Sequence, residues 1–465
     1  MGGIIVLNKI KRIAIVLLAL LLIIVTVGCD KKPNESNIPG EVSNVSGETG
    51  ESGNNNENGT SNSTGNSVQG GSFSVPDAPS KMEYGAKGAE TPLSNVYKLL
   101  AVEKKLTIGY IGGSITYGSS ATKAVGGQLG NINLSYVNRI SNWFKETYKG
   151  TTIETVNAGV SDTATNFGIF RLEKNLMNTS GHDMPDLVFI EFTSNDSTSL
   201  KKEKLLVQIE SMIRNIWDAN PYAEIVFIST QVAYKNESIK AYKEIGEKYN
   251  IPFIDVGSPL RKAKHEKWGS TKETSGKFYY TVDDLHPSHI GYGVYFDTIK
   301  PVLEEKLKFE IKDWKLYNYK ANLKAPINNN LIDNPTIITA DKLTVSGNAE
   351  VVNNGVDVSL YGTSLSIHNE KLTENSLKIT GNATVTAKFS GTAFGFLFDI
   401  LDNKSIPMRY KIDGGEWVDY TISGSYAHPQ GYIKEQDLED KEHTVTVEFL
   451  DGTNTMLGGL LVDGK

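Results

Sequence analysis

Leu106-Thr-Ile-Gly-Tyr-Ile111 runs directly into Gly112-Gly113-Ser114-Ile115-Thr116, so an apolar segment ends in a glycine-rich turn that carries a serine. A short apolar run bounded by turn residues predicts a buried β-strand. Further along, Val137, Ile140 and Phe144 recur at helical spacing and predict an amphipathic helix within residues 134–148. We therefore expect a strand, a turn and a helix in that order, with Ser114 in the turn.

Apolar and amphipathic segments keep alternating up to about residue 307. The pattern predicts strands at 153–156, 187–192, 225–228 and 253–256, and helices at 205–217, 238–249 and 290–307. Such an alternation predicts a parallel sheet covered by helices on both faces, which is an α/β domain of three layers. Ligands bind these sheets at the carboxyl ends of the strands.

Polar residues stand at those predicted strand ends. Ser114 follows the first strand, Gly159 the second and Asn195 the third, while Asp283 and His286 precede the last helix. A serine hydroxyl becomes a nucleophile only beside a base, and that base needs an orienting partner. His286 is the candidate base and Asp283 its candidate partner. The backbone N–H groups of Ser114 and Gly159 and the side-chain amide of Asn195 are the available donors for an oxyanion hole.

Other polar residues near these positions are interpreted as structural. Glu191 and Asp196 flank Asn195 and are expected to brace its loop through hydrogen bonds, and Arg171 is expected to pair with Glu173. Glycine at 159 is expected because a side chain would keep a substrate oxygen away from the backbone N–H. The histidines lack metal-ligand spacing, so the sequence predicts neither a metal nor another cofactor.

Ser114, Gly159, Asn195 and His286 occur in the order and contexts of the four blocks of the SGNH (GDSL-type) hydrolases. Gly112-Gly113-Ser114-Ile115-Thr116 resembles the Gly-Asp-Ser-Leu block with Gly113 in place of Asp, and Thr193 replaces the usual Gly of the third block. The resemblance covers roughly residues 100–308. It implies a flavodoxin-like fold and a serine esterase with Ser114, His286 and Asp283 as catalytic residues.

The pattern changes after Lys308, where short alternating runs are separated by Asn, Gly and Asp turns. These predict an all-β sandwich, and Ile412-Asp-Gly-Gly-Glu-Trp417 predicts a hairpin with Asp-Gly at the positive-φ positions. The domain resembles the jelly-roll domains beside SGNH domains in some carbohydrate esterases. Its aromatic residues are candidates for glycan binding, core packing or interdomain packing, and the domain could also wall one side of the active site: Trp417, Tyr361 and Tyr426.

The amino terminus carries the pattern of a secretory signal. Basic residues precede an uncharged apolar run at residues 13–28, which is shorter than the ~20 residues of a spanning helix. The run ends at Thr26-Val27-Gly28-Cys29, which resembles a bacterial lipobox with Thr26 where Leu is usual. The resemblance implies lipidation of Cys29, and an uncleaved membrane anchor is the alternative. Both place the rest of the chain outside the cytoplasm, on the bacterial surface.

These patterns predict a signal peptide at 1–28, a disordered Asn/Ser/Gly-rich linker at 29–78, a hydrolase domain at 79–308 and a β-sandwich at 309–465. The net charge of −7 and the scattered Lys and Arg argue against a nucleic-acid partner. We expect a surface-tethered serine esterase acting on an acylated carbohydrate or another small ester, most simply by O-deacetylation. The alternatives are a lipase, thioesterase or acyltransferase of the same fold, and a glycan-binding lipoprotein with a vestigial hydrolase domain.

Overall fold

The computed structural model describes residues 72–85, 91–179, 181–196, 201–230, 237–268, 279–283, 285–308, 310–311, 313–361, 367–399, 401–426 and 428–464. The predicted signal peptide, Cys29 and most of the predicted linker lie outside the described residues. Among the described helices, none combines the length and the apolar character needed to cross a bilayer.

The first part of the chain is an α/β structure. Its elements are β1 (Glu83–Gly85), α1 (Ser94–Val102), β2 (Lys105–Gly112), α2 (Ser114–Tyr117), α3 (Tyr136–Thr147), β3 (Thr152–Gly159), α4 (Thr165–Leu172), β4 (Leu187–Glu191), α5 (Thr193–Asp196), α6 (Lys202–Ala219), β5 (Glu224–Ser229), α7 (Glu237–Tyr249), β6 (Phe253–Asp255), α8 (Gly257–Trp268) and α9 (His289–Lys306).

Strands β2 to β6 form one parallel sheet in the spatial order β3-β2-β4-β5-β6. Counted among these five strands alone, this is the 2-1-3-4-5 order of flavodoxin-like sheets. Helices α1, α3 and α9 pack on one face, where Ile140 and Phe144 join Tyr110 and Phe189 in a buried cluster. Helices α4, α6 and α7 cover the other face. The predicted three-layer α/β architecture is therefore confirmed.

The order of this sheet fixes where a ligand can bind. The chain leaves β2, forms β3 on one side of it and returns to form β4 on the other side. The switch point therefore lies between β2 and β4, and a crevice opens there at the carboxyl ends of the strands. Ser114 follows β2 directly, and Asn195 lies in α5 just beyond β4.

Packed chain begins before the predicted domain boundary at residue 79. The Phe73 N–H donates to the Lys149 carbonyl at 2.6 Å, and the Phe73 ring packs edge-on against Tyr97 and Tyr148. Phe73 thus anchors this otherwise polar segment to the α/β core. The packed structure therefore begins near residue 73, whereas the linker was predicted to extend to residue 78. β1 then pairs in parallel with Lys315–Tyr317, beyond the predicted boundary at 308.

The remaining strands are β7 (Lys315–Tyr317), β8 (Pro335–Thr339), β9 (Thr344–Val352), β10 (Asp357–Tyr361), β11 (Ile367–Lys371), β12 (Ser376–Gly391), β13 (Phe394–Phe398), β14 (Leu401–Ile412), β15 (Val418–Tyr426), β16 (Gln430–Glu435), β17 (Lys441–Phe449) and β18 (Thr455–Asp463). The sandwich strands start at Pro335, because β7 packs with β1 on the α/β structure.

The predicted β-sandwich is confirmed, and two long strands join its layers. The first half of β12 pairs with β18 and its second half with β17, while β9 pairs along both halves across a register shift between Ile379 and Ala383. Phe394 and Tyr410, from the two layers, have ring centroids 5.6 Å apart in the core. The predicted hairpin joins β14 to β15, with positive φ at Asp413 (52°) and Gly414 (71°).

The sandwich and the α/β structure share buried surface. Leu461 of the sandwich and Leu360 of the separate two-stranded β10–β11 sheet belong to the same apolar cluster as Ile190 of the parallel sheet. Gly431 lies so close to Phe167 of α4 that a Cβ on it would come within 2.4 Å of the ring. The sandwich therefore covers the helical face next to the carboxyl ends of β2 and β3.

Candidate active site

Ser114 occupies the first position of the short helix α2, immediately after β2. Gly113 caps this helix in an extended conformation (φ −87°, ψ −151°), and its carbonyl accepts the N–H of Tyr117 at 3.0 Å. The first N–H groups of a helix lack intrahelical acceptors and project outward beyond its amino-terminal end. The turn therefore presents a hydroxyl and outward-pointing N–H groups together at the switch point.

Three predicted residues form a hydrogen-bonded triad. Ser114 Oγ lies 2.7 Å from His286 Nε2, and His286 Nδ1 lies 2.7 Å from Asp283 Oδ2. The other carboxylate oxygen, Oδ1, accepts the backbone N–H groups of Leu285 at 2.7 Å and His286 at 2.6 Å. Ser114 is 172 positions from His286, and the sheet topology brings the two side chains into contact.

Asp283 is held in its ionised form. Burial opposes ionisation, but the hydrogen bonds from the His286 ring and from the N–H groups of His286 and Leu285 outweigh it, and together they lower the pKa of Asp283 to about 2. An ionised carboxylate accepts a hydrogen from Nδ1. Nε2 is then the unprotonated nitrogen that faces the Ser114 hydroxyl.

Asn195 lies against the turn that carries Ser114. A Cβ on Gly113 would come within 2.3 Å of Asn195 Oδ1, so a larger residue at this position would require the carboxamide to shift. Thr193 also has a defined task, because its buried Oγ1 accepts the Thr230 N–H at 3.0 Å and ties α5 to the end of β5.

Gly159 lies at the predicted edge of the sheet, but its surroundings differ from the prediction. Its N–H donates to Asn157 Oδ1 at 2.9 Å, while Asn157 Nδ2 donates to the Thr116 carbonyl at 3.1 Å. A Cβ on Gly159 would come within 2.2 Å of the Tyr117 nitrogen. Glycine is therefore required for the close approach of α2, which corrects the expected reason. Its role as an oxyanion donor stays a prediction, since a substrate oxygen has to share or replace the contact with Asn157.

Two buried carboxylates brace the site, as the sequence analysis expects. Glu191 accepts hydrogen bonds from the hydroxyls of Thr116 and Thr230, both at 2.8 Å. Burial raises the pKa of Glu191 to about 7 in spite of these donors. Asp196 accepts the N–H of Thr165 at 2.9 Å and its hydroxyl at 2.6 Å, and burial raises its pKa to about 6.

The expected pair between Arg171 and Glu173 is wrong. The Arg171 guanidinium is fully buried and donates to the carbonyls of Ala158 at 2.6 Å and Gly112 at 2.9 Å, and to the Thr163 hydroxyl at 3.2 Å. The available signal was a single basic residue inside the otherwise apolar helix α4, where the side chain had to find its partners within the core.

The sandwich reaches the site through a residue that sequence reasoning missed. The His428 ring lies with its centroid 6.3 Å from that of Tyr117, three residues beyond Ser114. Among the candidate aromatic residues, Trp417 is partly buried beneath Arg409 and Lys411, whose cations lie 4.5 and 4.6 Å from its ring centroid. The side chains of Tyr361 and Tyr426 lie outside the described residues.

Other candidate sites contribute less. A cavity of about 510 Å³ lies between α4, α6 and β8, and its lining includes no residue of the triad. Within the described part of the chain, no three His, Cys, Asp or Glu side chains are grouped as metal ligands.

A parallel α/β sheet with a hydrogen-bonded Ser-His-Asp triad at the carboxyl ends of its strands defines the class of α/β serine hydrolases. More particularly, residues 110–294 match the model of the GDSL-like Lipase/Acylhydrolase family. No curated protein matches the chain.

Solved structures share the arrangement of both domains. A two-domain esterase (CEX) active on acetylated mannans is similar over 80% of this chain and 95% of its own, with a TM-score of 0.60 and 19% identity. Its structure co-crystallised with mannopentaose covers the same shares, with a TM-score of 0.58 and 18% identity. The likeness shows that this chain has the fold of an SGNH esterase followed by a β domain.

Proposed function

We propose that this protein is a serine esterase that removes acetyl groups from the hydroxyls of a carbohydrate. The observation that carries the proposal is the pair of 2.7 Å contacts that join Ser114 to His286 and His286 to Asp283. A serine hydroxyl in contact with an oriented imidazole is the arrangement that acyl transfer requires.

The reaction has two halves. Ser114 Oγ attacks the ester carbonyl while its proton passes to His286 Nε2, and the negative oxygen of the tetrahedral intermediate is stabilised by the donors around the turn. The intermediate collapses, the Nε2 proton passes to the leaving sugar oxygen, and an acetyl group remains on Ser114. Water then attacks this ester, His286 takes the water proton, and acetate leaves as the proton returns to Ser114 Oγ.

The carbohydrate part of the proposal is supported by the second domain. His428 comes from the sandwich and lies beside Tyr117, which is three residues beyond Ser114. The two-domain esterase with the same arrangement acts on acetylated mannans. We infer that the sandwich contributes one wall of the cleft, which would favour an extended sugar chain over a free small ester.

The primary test is release of acetate from acetylated mannan and acetylated xylan oligosaccharides. The wild-type protein is expected to release acetate and Ser114→Ala to release none above background. Ser141→Ala is the matched control, because Ser141 is a buried serine of the same domain whose hydroxyl lies 3.1 Å from the Tyr110 hydroxyl. Equal rates for wild type and Ser114→Ala would refute the proposal.

A series of 4-nitrophenyl esters with acyl chains of increasing length separates the proposal from a lipase or thioesterase. Preference for the acetyl ester supports deacetylation. Preference for long acyl chains would favour a lipase or thioesterase instead. A fluorophosphonate probe separates it from a vestigial domain, which would bind glycan but leave Ser114 unlabelled.

We propose further that Cys29 is lipidated and tethers the enzyme to the outer face of the cell membrane. The support is the apolar run at residues 13–28 followed by the only cysteine of the chain. Cys29→Ser is expected to move the protein from the membrane fraction to the medium or the soluble fraction. Retention of this variant in the membrane would favour an uncleaved anchor.

A further inference from the structure

Arg171 joins the ends of two strands that carry the proposed active site. Its Nη2 donates to the Gly112 carbonyl, two residues before Ser114, and its Nη1 donates to the Ala158 carbonyl, one residue before Gly159. Gly112 and Gly159 are the last register pair between β2 and β3. The Gly112 carbonyl also accepts the Val160 N–H at 3.0 Å, so the guanidinium adds a second tie to the last backbone bond between these two strand ends.

The second contact acts on the peptide that contains the Gly159 N–H. The Ala158 carbonyl and the Gly159 N–H belong to the same peptide unit, so a charged donor on the oxygen polarises the N–H at the other end. The guanidinium is planar, and its separate N–H groups let it hold two carbonyls at a fixed separation, which an ammonium cannot do in the same way.

The charge of Arg171 has no opposite charge beside it. Among the described residues, no carboxylate lies within ion-pair distance of the guanidinium, and its Nε has no hydrogen-bond partner. Burial lowers the pKa of Arg171 to about 9, so the group remains a cation at neutral pH. The Phe192 ring faces this cation, with its centroid 5.8 Å from Arg171 Cζ, but a buried cation without a carboxylate partner remains costly for folding. Close to the proposed oxyanion site, the same charge would lower the barrier of the reaction, because preorganised positive charge stabilises an oxyanion.

We propose that Arg171 is a positioning residue for the oxyanion site: it fixes the separation between the Ser114 turn and the Gly159 peptide and supplies positive charge beneath them. This inference rests on the proposed esterase function. Arg171 itself does not meet the substrate, because its side chain is fully buried.

The test compares Arg171→Lys and Arg171→Met with wild type on 4-nitrophenyl acetate, which requires no sugar recognition. Active sites are counted with a fluorophosphonate probe, so kcat refers to folded enzyme alone. We expect kcat to fall about tenfold in Arg171→Lys, which keeps the charge but not the double contact, and about a hundredfold in Arg171→Met. KM is expected to stay within about twofold because the proposed effect acts on the transition state.

Arg214→Met is the matched control. Arg214 also bonds a carbonyl, that of Lys324, but it lies in α6 beside Glu210 and Tyr249, away from the triad. The Arg214→Met variant should have a lower melting temperature than wild type and an unchanged kcat. If both Arg171 variants behave like this control, Arg171 is only structural and the inference is overturned. If Arg171→Met does not fold, a wild-type kcat in Arg171→Lys is by itself enough to overturn the inference. Absence of Ser114-dependent turnover in the wild type is a different result, because it refutes the proposed function itself.

Discussion

Asp283 divides its carboxylate between two tasks. Oδ1 accepts the backbone N–H groups of Leu285 and His286, while Oδ2 accepts from the His286 ring. The first task shapes the loop, and the second sets which ring nitrogen carries the proton. Because the two tasks use different oxygens, a substitution can remove one of them and spare the other.

Asp283→Asn makes that separation. With the amide oxygen in the place of Oδ1 the loop keeps its contacts, but an NH2 group then faces His286 Nδ1 and favours the tautomer with hydrogen on Nε2. That nitrogen can no longer accept the Ser114 proton. We expect kcat for acetate release to fall roughly 10²-fold to 10³-fold, less than for a fully buried aspartate because the Asp283 side chain is 51% exposed.

The sandwich provides a control with the same local chemistry. Asp413 accepts from His443 Nδ1 at 2.8 Å and from the Thr444 N–H at 2.8 Å. Asp413→Asn is expected to leave kcat unchanged and to alter only the melting temperature. Wild-type turnover in Asp283→Asn would remove Asp283 from the proposed mechanism.

The candidate residues at the strand ends could be predicted because the strand pattern reveals their positions. Ser114 and Asn195 follow apolar runs, and parallel strands bring their carboxyl ends to one edge. Arg171 and His428 could not be found in this way. The partners of Arg171 are backbone carbonyls, which leave no mark in the sequence, and His428 comes from the other domain.

At the scale of elements, α2 and α5 fit against each other through Gly113. The carboxamide of Asn195 occupies the space that a side chain at 113 would need, since a Cβ there would come within 2.3 Å of Oδ1. The contact is with the end of a side chain rather than with backbone, so the strain of a larger residue falls on Asn195. The fit therefore links the identity of residue 113 to the position of Asn195, the proposed oxyanion donor.

Gly113→Ala is expected to lower kcat about 10²-fold with the fold intact, which is the typical effect of losing one oxyanion donor. Gly293→Ala is the control, because its nearest neighbour would be Arg139 Nη2 at an ordinary 3.9 Å. In an Asn195→Ala background, Gly113→Ala should have no further effect. Full additivity of the two substitutions would show that Gly113 acts by another route.

Two helices that escaped prediction, α1 and α4, share a physical cause. Nearly every residue of α1 is buried, including Asn95 and Lys98, and α4 lies between the parallel sheet and the sandwich. A helix buried on all sides has no polar face, so the period that identifies an amphipathic helix is missing. Helices α3, α6 and α7 keep one face in solvent, and their positions were predicted.

At the scale of the whole molecule, the two domains are joined by a continuous core. Leu461 of the sandwich, Leu360 of the two-stranded β10–β11 sheet and Phe167 of α4 belong to one buried cluster. Sequence patterns identify apolar faces but do not say which distant face covers them. The sequence analysis left interdomain packing open as one possibility, but it did not identify the approach of His428 to Tyr117.

Buried carboxyl groups give the whole protein a pH dependence. Burial raises the pKa values of Glu191 and Glu224 to about 7 and those of Asp186 and Asp196 to about 6. In the unfolded chain these groups titrate near their ordinary values of about 4. Because the folded pKa values are raised, their contribution to the free energy of unfolding is fully present below about pH 4 and is lost as the pH rises through 6 and 7.

We therefore expect the melting temperature, followed by differential scanning calorimetry, to fall by several degrees between pH 5.5 and pH 8.5. Asp283 does not oppose this trend, since its lowered pKa of about 2 affects stability only below about pH 4. Glu224→Gln tests whether buried carboxyl groups cause this fall. Glu224 is suitable because its partners, the Asn95 N–H and the Tyr319 hydroxyl, are not part of the triad. This variant should show a smaller fall than wild type. An identical fall, or a melting temperature that rises over this range, would show that other groups determine the pH dependence.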